Sequence, residues 1–204
     1  MNYVKFQNLQ LNPSKIVCVG RNYAEHVAEL NNETPQQAVI FAKPNSAISE
    51  HLSLGGSDDI HYEAEISLLV HQGQYVAVSF GLDLTKRGLQ TQLKNKGLPW
   101  ERAKAFDGSA VFSRFVPLSG ELASLRLELW IDGALRQHGG YQQMIYKPEF
   151  LLEEIRSFMT LYDGDIIMTG TPAGVDKIKL GQHFHGKVFA GDDLLVEQEW
   201  LATV

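Results

Sequence analysis

Short apolar segments separated by turn-forming residues run through most of this chain and limit the folds open to it. Such segments, ending at glycine, proline or Asp-Gly pairs, are typical of strands joined by tight turns. We predict strands at residues 15–20, 38–42, 63–70, 75–82, 122–131, 166–169 and 192–200. Helical spacing is confined to residues 22–31, 84–96 and 148–161. Two of these elements have a clear apolar face, formed by Leu125, Leu127, Leu129 and Ile131 on the strand at 122–131 and by Leu151, Leu152, Ile155 and Phe158 on the helix at 148–161. Many short strands with few helices indicate a mixed α+β domain built on packed or rolled sheets.

Length, charge and cysteine usage exclude several classes of protein. The 204 residues suffice for one substantial core, so we expect a single domain over residues 1–204. A net charge of −6 argues against a nucleic-acid partner. No apolar run approaches the ~18 residues that span a bilayer, and residues 1–11 lack a signal-peptide pattern. The single cysteine, Cys18, lies in an apolar strand and is more typical of a core residue than of a catalytic thiol. We therefore predict a cytosolic protein.

Two glutamates, Glu63 and Glu65, interrupt a segment, residues 60–70, that otherwise reads as one continuous buried strand. Alternate residues of a strand share a face and lie roughly 6.5 Å apart along the backbone. Carboxylates that close repel each other unless positive charge lies between them, and Mg²⁺, Mn²⁺ and Ca²⁺ all favour carboxylate oxygen. The alternative is a two-faced strand whose acidic face meets water. The segment alone does not separate the two interpretations.

A third carboxylate, Asp83, ends the following predicted strand. A hairpin partner can place its side chain beside the two glutamates. Three carboxylates without a cysteine or histidine cluster indicate a hard cation, Mg²⁺ or Mn²⁺, with Ca²⁺ as a further candidate. Asp83 is also a plausible N-cap for the next helix, and both roles are compatible.

Further candidates carry a weaker signal. His26 and Glu29 are three residues apart on a predicted helix and so share a face, where a carboxylate-held histidine can act as a general base. A solvated face with a chance pair is the more common arrangement. Lys104 lies among aromatic residues and glycines and could steady an enolate, although surface lysines are commoner. His183 and His185 lack a third ligand at a zinc-site spacing, so we interpret them as ordinary strand or loop residues.

Six ordered segments of the chain resemble the fumarylacetoacetate hydrolase family, in particular its short acylpyruvate hydrolase-like members. Together they span roughly residues 15–200. The matching segments are Gly-Arg-Asn-Tyr-Ala-Glu-His at 20–26, Phe-Ala-Lys-Pro at 41–44, His-Tyr-Glu-Ala-Glu at 61–65, Asp-Leu-Thr-Lys-Arg at 83–87, Lys-Gly-Leu-Pro-Trp at 96–100 followed by Lys104, and Thr-Gly-Thr-Pro-Ala-Gly-Val at 169–175.

The resemblance implies a fold and a role for each candidate residue. The expected fold is a mixed β-sandwich roll with a few short helices, in a protein that forms homodimers. The implied metal ligands are Glu63, Glu65 and Asp83, and the implied catalytic residues are His26 and Glu29, on a mobile lid helix, with Lys104. The residues expected to line the substrate pocket are Arg21, Lys43, Arg87, Gln90 and Thr171.

Two positions depart from the pattern of the family. Gly88 follows Arg87 where an aspartate is common, and Tyr141-Gln142-Gln143-Met144 replaces a Thr-Ser-Asp-Met segment near the pocket. We expect these changes to affect substrate choice or dimer packing, and to leave the implied metal ligands intact.

The function implied by the resemblance is metal-dependent cleavage of a carbon–carbon bond in short 2,4-dioxo acids. Acylpyruvates such as acetylpyruvate or fumarylpyruvate would be hydrolysed through a pyruvate enolate. The same enolate can form from oxaloacetate, so an oxaloacetate decarboxylase, a tautomerase or a 2-oxo-diacid isomerase is the alternative. A third hypothesis is a non-catalytic protein that binds a metal or a small acid.

Overall fold

The structure, a computed structural model, describes residues 1–29, 33, 35–57 and 59–204. The strands, numbered β1 to β17 in chain order, are Val4–Phe6, Leu9–Leu11, Lys15–Gly20, Val39–Pro44, Ile48–Ser49, Ile60–Tyr62, Ala64–His71, Gln74–Asp83, Thr85–Lys86, Ala110–Phe112, Val116–Pro117, Leu125–Ile131, Ala134–Gly140, Ile166–Met168, Asp176–Lys177, His183–Ala190 and Asp193–Leu201. The helices α1 to α4 are Ala24–Glu29, Arg87–Asn95, Glu101–Lys104 and Pro148–Phe158, and 3-10 turns cover Asn45–Ala47, Leu122–Ser124 and Tyr141–Gln143.

Two sheets carry most of the fold. The larger has the order β4-β3-β14-β7-β8-β10-β5, with β11 also paired to β8, and the smaller has the order β13-β12-β16-β17. Strands β3 and β14 are parallel, whereas β14 and β7 are antiparallel, so the larger sheet is mixed. Two minor sheets, β15-β6-β9 and the hairpin β1-β2, complete the topology of the described residues. The predicted mixed α+β sandwich roll is confirmed.

The main core lies between the two sheets. Strand β12 alternates buried and half-buried residues, and Leu125, Leu127, Leu129 and Ile131 form its buried face, as predicted. These leucines belong to one apolar cluster with Ile66 and other residues of β7 and β8. Because alternate side chains of a strand point to opposite faces, this pattern gives the smaller sheet an apolar face that packs on the larger one.

A separate apolar cluster joins helix α4 to the larger sheet. Leu151, Leu152 and Ile155 of α4 pack with Val17 and other valine and isoleucine residues of that sheet. The helix begins at Pro148, a residue favoured in the first turn, and it ends at Phe158. Phe158 was predicted to share the buried face, and this prediction is wrong because its side chain is 58% exposed at the end of the helix.

Cys18 lies in strand β3 and is fully buried. Burial, and after it the negative charge of Asp83, raises the pKa of the thiol well above its usual value. A thiol that stays protonated is a poor nucleophile, so the structure supports the interpretation of Cys18 as a core residue.

The hairpin β7–β8 brings the predicted carboxylates together. Its turn has positive φ at Gln72 (49°) and Gly73 (72°), the combination of a type I′ turn, whose twist matches that of the flanking strands. The turn pairs His71 with Gln74, and a register shift between Leu69 and Val70 then pairs Glu65 with Gly81 and Ala64 with Leu82. Residues just before β7 therefore meet the last residue of β8.

The predicted continuous strand through the glutamates is broken at Glu63. Strand β6 ends at Tyr62 and belongs to a small sheet, whereas β7 begins at Ala64 in the larger sheet. The carbonyl of Glu63 accepts a hydrogen bond from the N–H of Asp83 at 2.8 Å. Glu63 thus lies at the junction of two sheets, and a backbone hydrogen bond joins it to Asp83, the residue that carries the third carboxylate.

The helices next to this junction differ from the prediction at their ends. Helix α2 was predicted from residue 84, but it begins at Arg87 because Thr85–Lys86 pair with β6 as strand β9. Lys86, not Asp83, precedes the helix, so the N-cap role considered for Asp83 is wrong. Helix α1 begins at Ala24, later than the predicted start at residue 22, and the predicted residues 30 and 31 lie outside the described residues. In the part of the chain that the structure describes, no helix is long and apolar enough to cross a bilayer.

Candidate active site

Glu63, Glu65 and Asp83 meet at the open end of the β7–β8 hairpin. One carboxylate oxygen from each lies within 4.8 Å of those of the other two. The three residues are only 6%, 1% and 1% exposed, so the alternative of an acidic face in water is wrong. The predicted placement of Asp83 beside the two glutamates is confirmed, and the role of the cluster as a metal site stays a prediction.

The two glutamates differ in the charges that surround them. Burial raises the pKa of Glu65 well above its usual value, and the charges of Asp83 and Glu63 raise it further. Burial also opposes ionisation of Glu63, but the positive charges of Lys104 and Arg87 outweigh it and hold its pKa well below the usual range. Among the described residues, no cationic side chain forms an ion pair with Glu65. The repulsion concentrated on Glu65 is the part of the cluster that an added cation would relieve.

Lys104 stands between two of the carboxylates. Its Nζ donates hydrogen bonds to Glu63 Oε2 (2.7 Å), Asp83 Oδ2 (2.7 Å) and Thr85 Oγ1 (2.6 Å). Burial alone would lower the pKa of this ammonium, but the charges of Asp83 and Glu63 outweigh burial and raise it. Lys104 is 3% exposed and is therefore a charged, fully engaged donor next to the cluster.

Lys43 lies behind the cluster. It is fully buried, and its Nζ is 2.8 Å from Asp83 Oδ1 and donates a hydrogen bond to Ser109 Oγ at 3.0 Å. The same ammonium donates to the carbonyl of Lys104. Lys43 was expected to line the substrate pocket, but the structure places it outside the lining, where it fixes Asp83 and the end of helix α3.

The cluster fits a hard divalent cation. All the candidate ligand atoms are carboxylate oxygens, the donors that Mg²⁺, Mn²⁺ and Ca²⁺ prefer. An incoming cation competes with the ammonium of Lys104 for oxygens of Glu63 and Asp83, whereas Glu65 offers a carboxylate with no ion-pair partner among the described residues. The repulsion that Asp83 and Glu63 exert on an ionised Glu65, and an oxygen-only donor set, are the two features that favour such an ion.

The predicted dyad forms on helix α1. Nδ1 of His26 is 3.1 Å from Glu29 Oε2, and Glu29 Oε1 accepts a hydrogen bond from the N–H of Gly174 at 3.0 Å. A carboxylate only accepts, so Nδ1 carries the hydrogen, and in the neutral imidazole Nε2 has the lone pair. His26 is 5% exposed and lines the same cavity as the glutamates. The structure therefore favours a held imidazole over the chance pair on a solvated face.

The Thr169-Gly170-Thr171-Pro172 segment contributes a backbone donor. The N–H of Gly170 donates to Glu65 Oε2 at 2.6 Å. Gly170 has a φ of 97°, and a Cβ at this position would lie 2.7 Å from the Cβ of Asn22. Only glycine accommodates both the backbone conformation and the close approach.

Asn22 and Gln137 are functional-site supports that sequence reasoning missed. The Asn22 side chain donates to the carbonyls of Thr169 (2.8 Å) and Tyr146 (2.9 Å) and accepts from the N–H of Tyr146 (2.7 Å). Gln137 donates to Thr171 Oγ1 at 2.8 Å. Both are completely buried amides, and their partners lie over 30 residues away, so a local pattern carries no signal for them. Asn22 fixes the chain just before helix α1, and Gln137 fixes the side chain of Thr171.

A small cavity of about 40 Å³ lies over the carboxylates. Its volume accommodates water and is small for a four-carbon acid. The lining includes most of the expected catalytic and substrate-binding residues, together with Lys94, Phe41 and Trp100, which sequence reasoning did not single out. The expected residues in the lining are His26, Glu63, Glu65, Lys104, Arg21, Arg87, Gln90 and Thr171.

The two departures from the family pattern have local explanations. The N–H of Gly88 donates to Asp59 Oδ2 at 2.7 Å, and a Cβ on Gly88 would lie 2.7 Å from the same oxygen. An aspartate there would also meet a like charge. The segment Tyr141–Gln143 forms a 3-10 turn. The carbonyl of Tyr141 accepts a hydrogen bond from Lys147 Nζ at 2.8 Å. Neither departure removes a contact of the carboxylate cluster.

The family is settled by comparison with known proteins. Residues 15–204 match the family described as fumarylacetoacetate (FAA) hydrolase C-terminal. The chain belongs to the fumarylacetoacetate hydrolase family. A fumarylpyruvate hydrolase from Pseudomonas aeruginosa, solved in complex with Mn²⁺ and pyruvate, superposes with a TM-score of 0.90 at 26% identity, over 100% of this chain and 97% of that one. The expected family and fold are confirmed.

Relatives of higher identity carry a different activity from the one expected first. The mitochondrial oxaloacetate tautomerase of Arabidopsis thaliana is 41% identical over 198 residues, covering 87% of this chain and 86% of that protein. A mitochondrial oxaloacetate decarboxylase of Dictyostelium discoideum is 38% identical over 82% of this chain and 85% of that protein. These names favour the oxaloacetate alternative over acylpyruvate hydrolysis. They include mitochondrial proteins, so the cytosolic location stays a prediction.

Proposed function

We propose that this family member is an oxaloacetate tautomerase, which interconverts the enol and keto forms of this four-carbon 2-oxo diacid. The observation that carries the proposal is one carboxylate-held imidazole, His26, lining the same cavity as a buried cluster of three carboxylates. Tautomerisation needs a group that moves one proton and a means of stabilising charge on the 2-oxo oxygen. The relative from Arabidopsis thaliana named oxaloacetate tautomerase supports the same activity.

The carboxylates would hold the cofactor of this reaction. Glu63, Glu65 and Asp83 are the proposed ligands, and Mg²⁺ or Mn²⁺ is the proposed ion, in keeping with the Mn²⁺ in the fumarylpyruvate hydrolase structure. When bound, a divalent cation supplies Lewis-acid stabilisation of negative charge that develops on a carbonyl oxygen.

His26 would carry the proton. Ketonisation removes the proton of the 2-hydroxyl and adds a proton at C3. The π electrons of the C2=C3 bond form the new C3–H bond, and the electron pair left on the oxygen forms the C2=O bond. Nε2 of His26 holds a lone pair because Nδ1 donates to Glu29, so it can accept the first proton and return one to C3. Glu29 is itself oriented by the N–H of Gly174, which fixes the imidazole in the required tautomer.

Lys104 and Thr171 would position the substrate. Lys104 presents a buried ammonium beside Glu63 and Asp83, where positive charge opposes proton uptake by the carboxylates and favours an enolate. The Thr171 hydroxyl accepts from Gln137 and thus keeps its own hydrogen for an oxygen of the substrate.

Carbon–carbon bond cleavage is the second candidate function. Hydrolysis of an acylpyruvate adds water to the distal carbonyl before the enolate leaves, and decarboxylation of oxaloacetate yields the same enolate without water. The similarity to a fumarylpyruvate hydrolase and to an oxaloacetate decarboxylase favours retaining both. Since hydrolysis needs an activated water, Glu29→Ala should reduce acetylpyruvate hydrolysis more than oxaloacetate tautomerisation.

The test is the decay of enol oxaloacetate, followed by its ultraviolet absorbance, with purified protein and Mg²⁺ or Mn²⁺. We expect a rate above the uncatalysed one that falls by about 10²-fold or more in His26→Gln. His51→Gln, which changes a histidine outside the cavity lining, is the matched control and should keep the rate. A wild-type rate equal to that of buffer with metal would refute the proposal.

The remaining predictions concern the whole molecule. We propose that residues 1–204 act as a single catalytic domain that takes a small 2-oxo acid, without a nucleic-acid or membrane partner, and that forms homodimers. Light scattering of the purified protein at micromolar concentration measures the last of these, and a monomer would contradict it.

A further inference from the structure

Four lysine and arginine side chains line the same small cavity as the carboxylates: Lys104, which is paired with Glu63 and Asp83, and Arg21, Arg87 and Lys94. Arg87 also contacts the cluster directly. Nη2 of Arg87 donates to Glu63 Oε1 at 2.5 Å, and Nη1 donates to Gln90 Oε1 at 2.8 Å. With both terminal nitrogens occupied, Arg87 serves the metal end of the site, and the chemistry described above does not use Arg21 or Lys94.

Arg21 presents an unused guanidinium to the cavity. Within the described ranges its side chain forms no hydrogen bond or ion pair, although it is only half-exposed and lies directly after strand β3. Its backbone has a φ of 56°, a conformation that non-glycine residues seldom adopt and that concentrates at functional sites. The three hydrogen bonds of Asn22 anchor the next residue, so the chain is held in this conformation.

Lys94 approaches the same place from helix α2. It lies four residues after Gln90, another residue of the cavity lining, and so shares its helix face. Partial burial lowers the pKa of Lys94, and the positive charges of Arg21 and then Arg87 lower it further. Positive charge thus accumulates at this part of the cavity, and a bound anion would relieve it.

We propose that Arg21 and Lys94 form a subsite for the distal carboxylate of the substrate, so that the enzyme selects four-carbon 2-oxo diacids over monocarboxylic 2-oxo acids. The inference rests on the proposed function, because it assumes that the 2-oxo acid end of the substrate meets the carboxylate cluster and His26. A guanidinium offers paired N–H donors that match a carboxylate, and an adjacent ammonium adds a point charge. The subsite gives the tautomerase its preference for oxaloacetate.

Ligand pairs that differ only in the distal group isolate this subsite. Malate and lactate are both 2-hydroxy acids, and malate carries the additional carboxylate. Calorimetry of the Mn²⁺-loaded protein should show malate binding at least about tenfold more tightly than lactate, as expected for a charge-assisted hydrogen bond. Arg21→Met and Lys94→Met should each reduce that ratio by about 5- to 50-fold, whereas the affinity for oxalate, which has no distal group, should change less than about threefold.

Kinetics supply the second measurement. In the same variants the KM for oxaloacetate should rise by about 10-fold or more with a smaller change in kcat, and Arg21→Lys should recover part of the loss by restoring the charge. Arg102→Met and Lys96→Met, which remove exposed cations outside the lining, are the matched controls and should behave as wild type.

Each outcome separates the inference from the proposed function. Wild-type protein that binds malate over lactate but does not turn over oxaloacetate would refute the function and keep the subsite. Equal losses of malate, lactate and oxalate affinity in Arg21→Met and Lys94→Met would overturn the subsite, because the two cations would then act at the metal end. If a methionine variant fails to fold, Arg21→Lys and Lys94→Gln apply the same ratio test, and an unchanged malate-to-lactate ratio in both would also overturn it.

Discussion

Glu29→Gln should abolish most of the tautomerase activity by reversing the tautomer of His26. Glu29 Oε1 accepts from the N–H of Gly174, and Oε2 accepts from Nδ1 of His26. In the glutamine variant, the amide oxygen must remain on the Gly174 donor, since an NH₂ group there would face another N–H. The NH₂ group then points to Nδ1, which must accept, so the hydrogen moves to Nε2 and the lone pair on the cavity side is lost.

The magnitude follows from the role assigned to the imidazole. General-base catalysis by a positioned side chain contributes about 10²–10⁴-fold, or about 3–5 kcal/mol of barrier. We expect kcat for oxaloacetate tautomerisation to fall by about 10²-fold or more in Glu29→Gln, with KM changed much less. The stability effect should be under about 1 kcal/mol, because the Glu29 side chain is 32% exposed and water screens the pair.

The assay is enol decay under metal-saturating conditions, alongside urea unfolding of each protein. Glu25→Gln makes the same chemical change at an exposed position of helix α1 and should retain wild-type kcat. A folded Glu29→Gln protein whose kcat stays within about threefold of wild type would show that the tautomer of His26 does not control the reaction.

Three further predictions address stability and the cation site. Burial opposes ionisation of Asp165, but a lysine ammonium and nearby N–H and O–H donors outweigh it and lower its pKa. The stability from this carboxylate is therefore complete above its unfolded pKa of about 3.9 and is lost as the pH falls toward the lower folded value. Asp165→Asn should cost about 2–4 kcal/mol at pH 7 and weaken the acid dependence in urea unfolding, whereas the exposed-site change Asp163→Asn should cost under about 1 kcal/mol. Mn²⁺ at a hundredfold excess over its Kd should raise the free energy of unfolding by about 2.7 kcal/mol. In thermal melting, Glu65→Gln should remove most of this gain, and an equal gain in the variant would exclude Glu65 as a ligand. Gly88→Asp should lower stability by about 1 kcal/mol in urea, since its Cβ displaces the Asp59 carboxylate and adds a like charge.

The sequence predicted the strands well where local periodicity and turn chemistry act together. Strand β12 shows the expected alternation, and the Gln72-Gly73 turn forms the hairpin that brings Asp83 to the glutamates, although the sequence did not predict the register shift between Leu69 and Val70. Predictions failed where tertiary pairing overrides local preference. The break at Glu63 arises because β6 pairs with β9 in a separate sheet, and the same pairing delays the start of helix α2.

The sequence predicted mainly the charged residues of the candidate site. Carboxylates at two-residue spacing and a histidine–glutamate pair at helical spacing are visible in a sequence, and the structure brings them to one cavity. Neither the burial of Lys43 behind Asp83 nor the convergence of Arg21 with Lys94 has a local signature. These depend on strands and helices distant in the chain, so only the fold reveals them.

The central claim is that this site tautomerises oxaloacetate in preference to cleaving acylpyruvates. The most direct measurement compares kcat/KM for ketonisation of enol oxaloacetate with kcat/KM for acetylpyruvate hydrolysis, on one preparation of the Mn²⁺-loaded protein. The account predicts that tautomerisation exceeds hydrolysis by at least about tenfold and that His26→Gln abolishes it. Efficient hydrolysis of acetylpyruvate by a protein that leaves the enol–keto rate of oxaloacetate at its uncatalysed value would contradict the account.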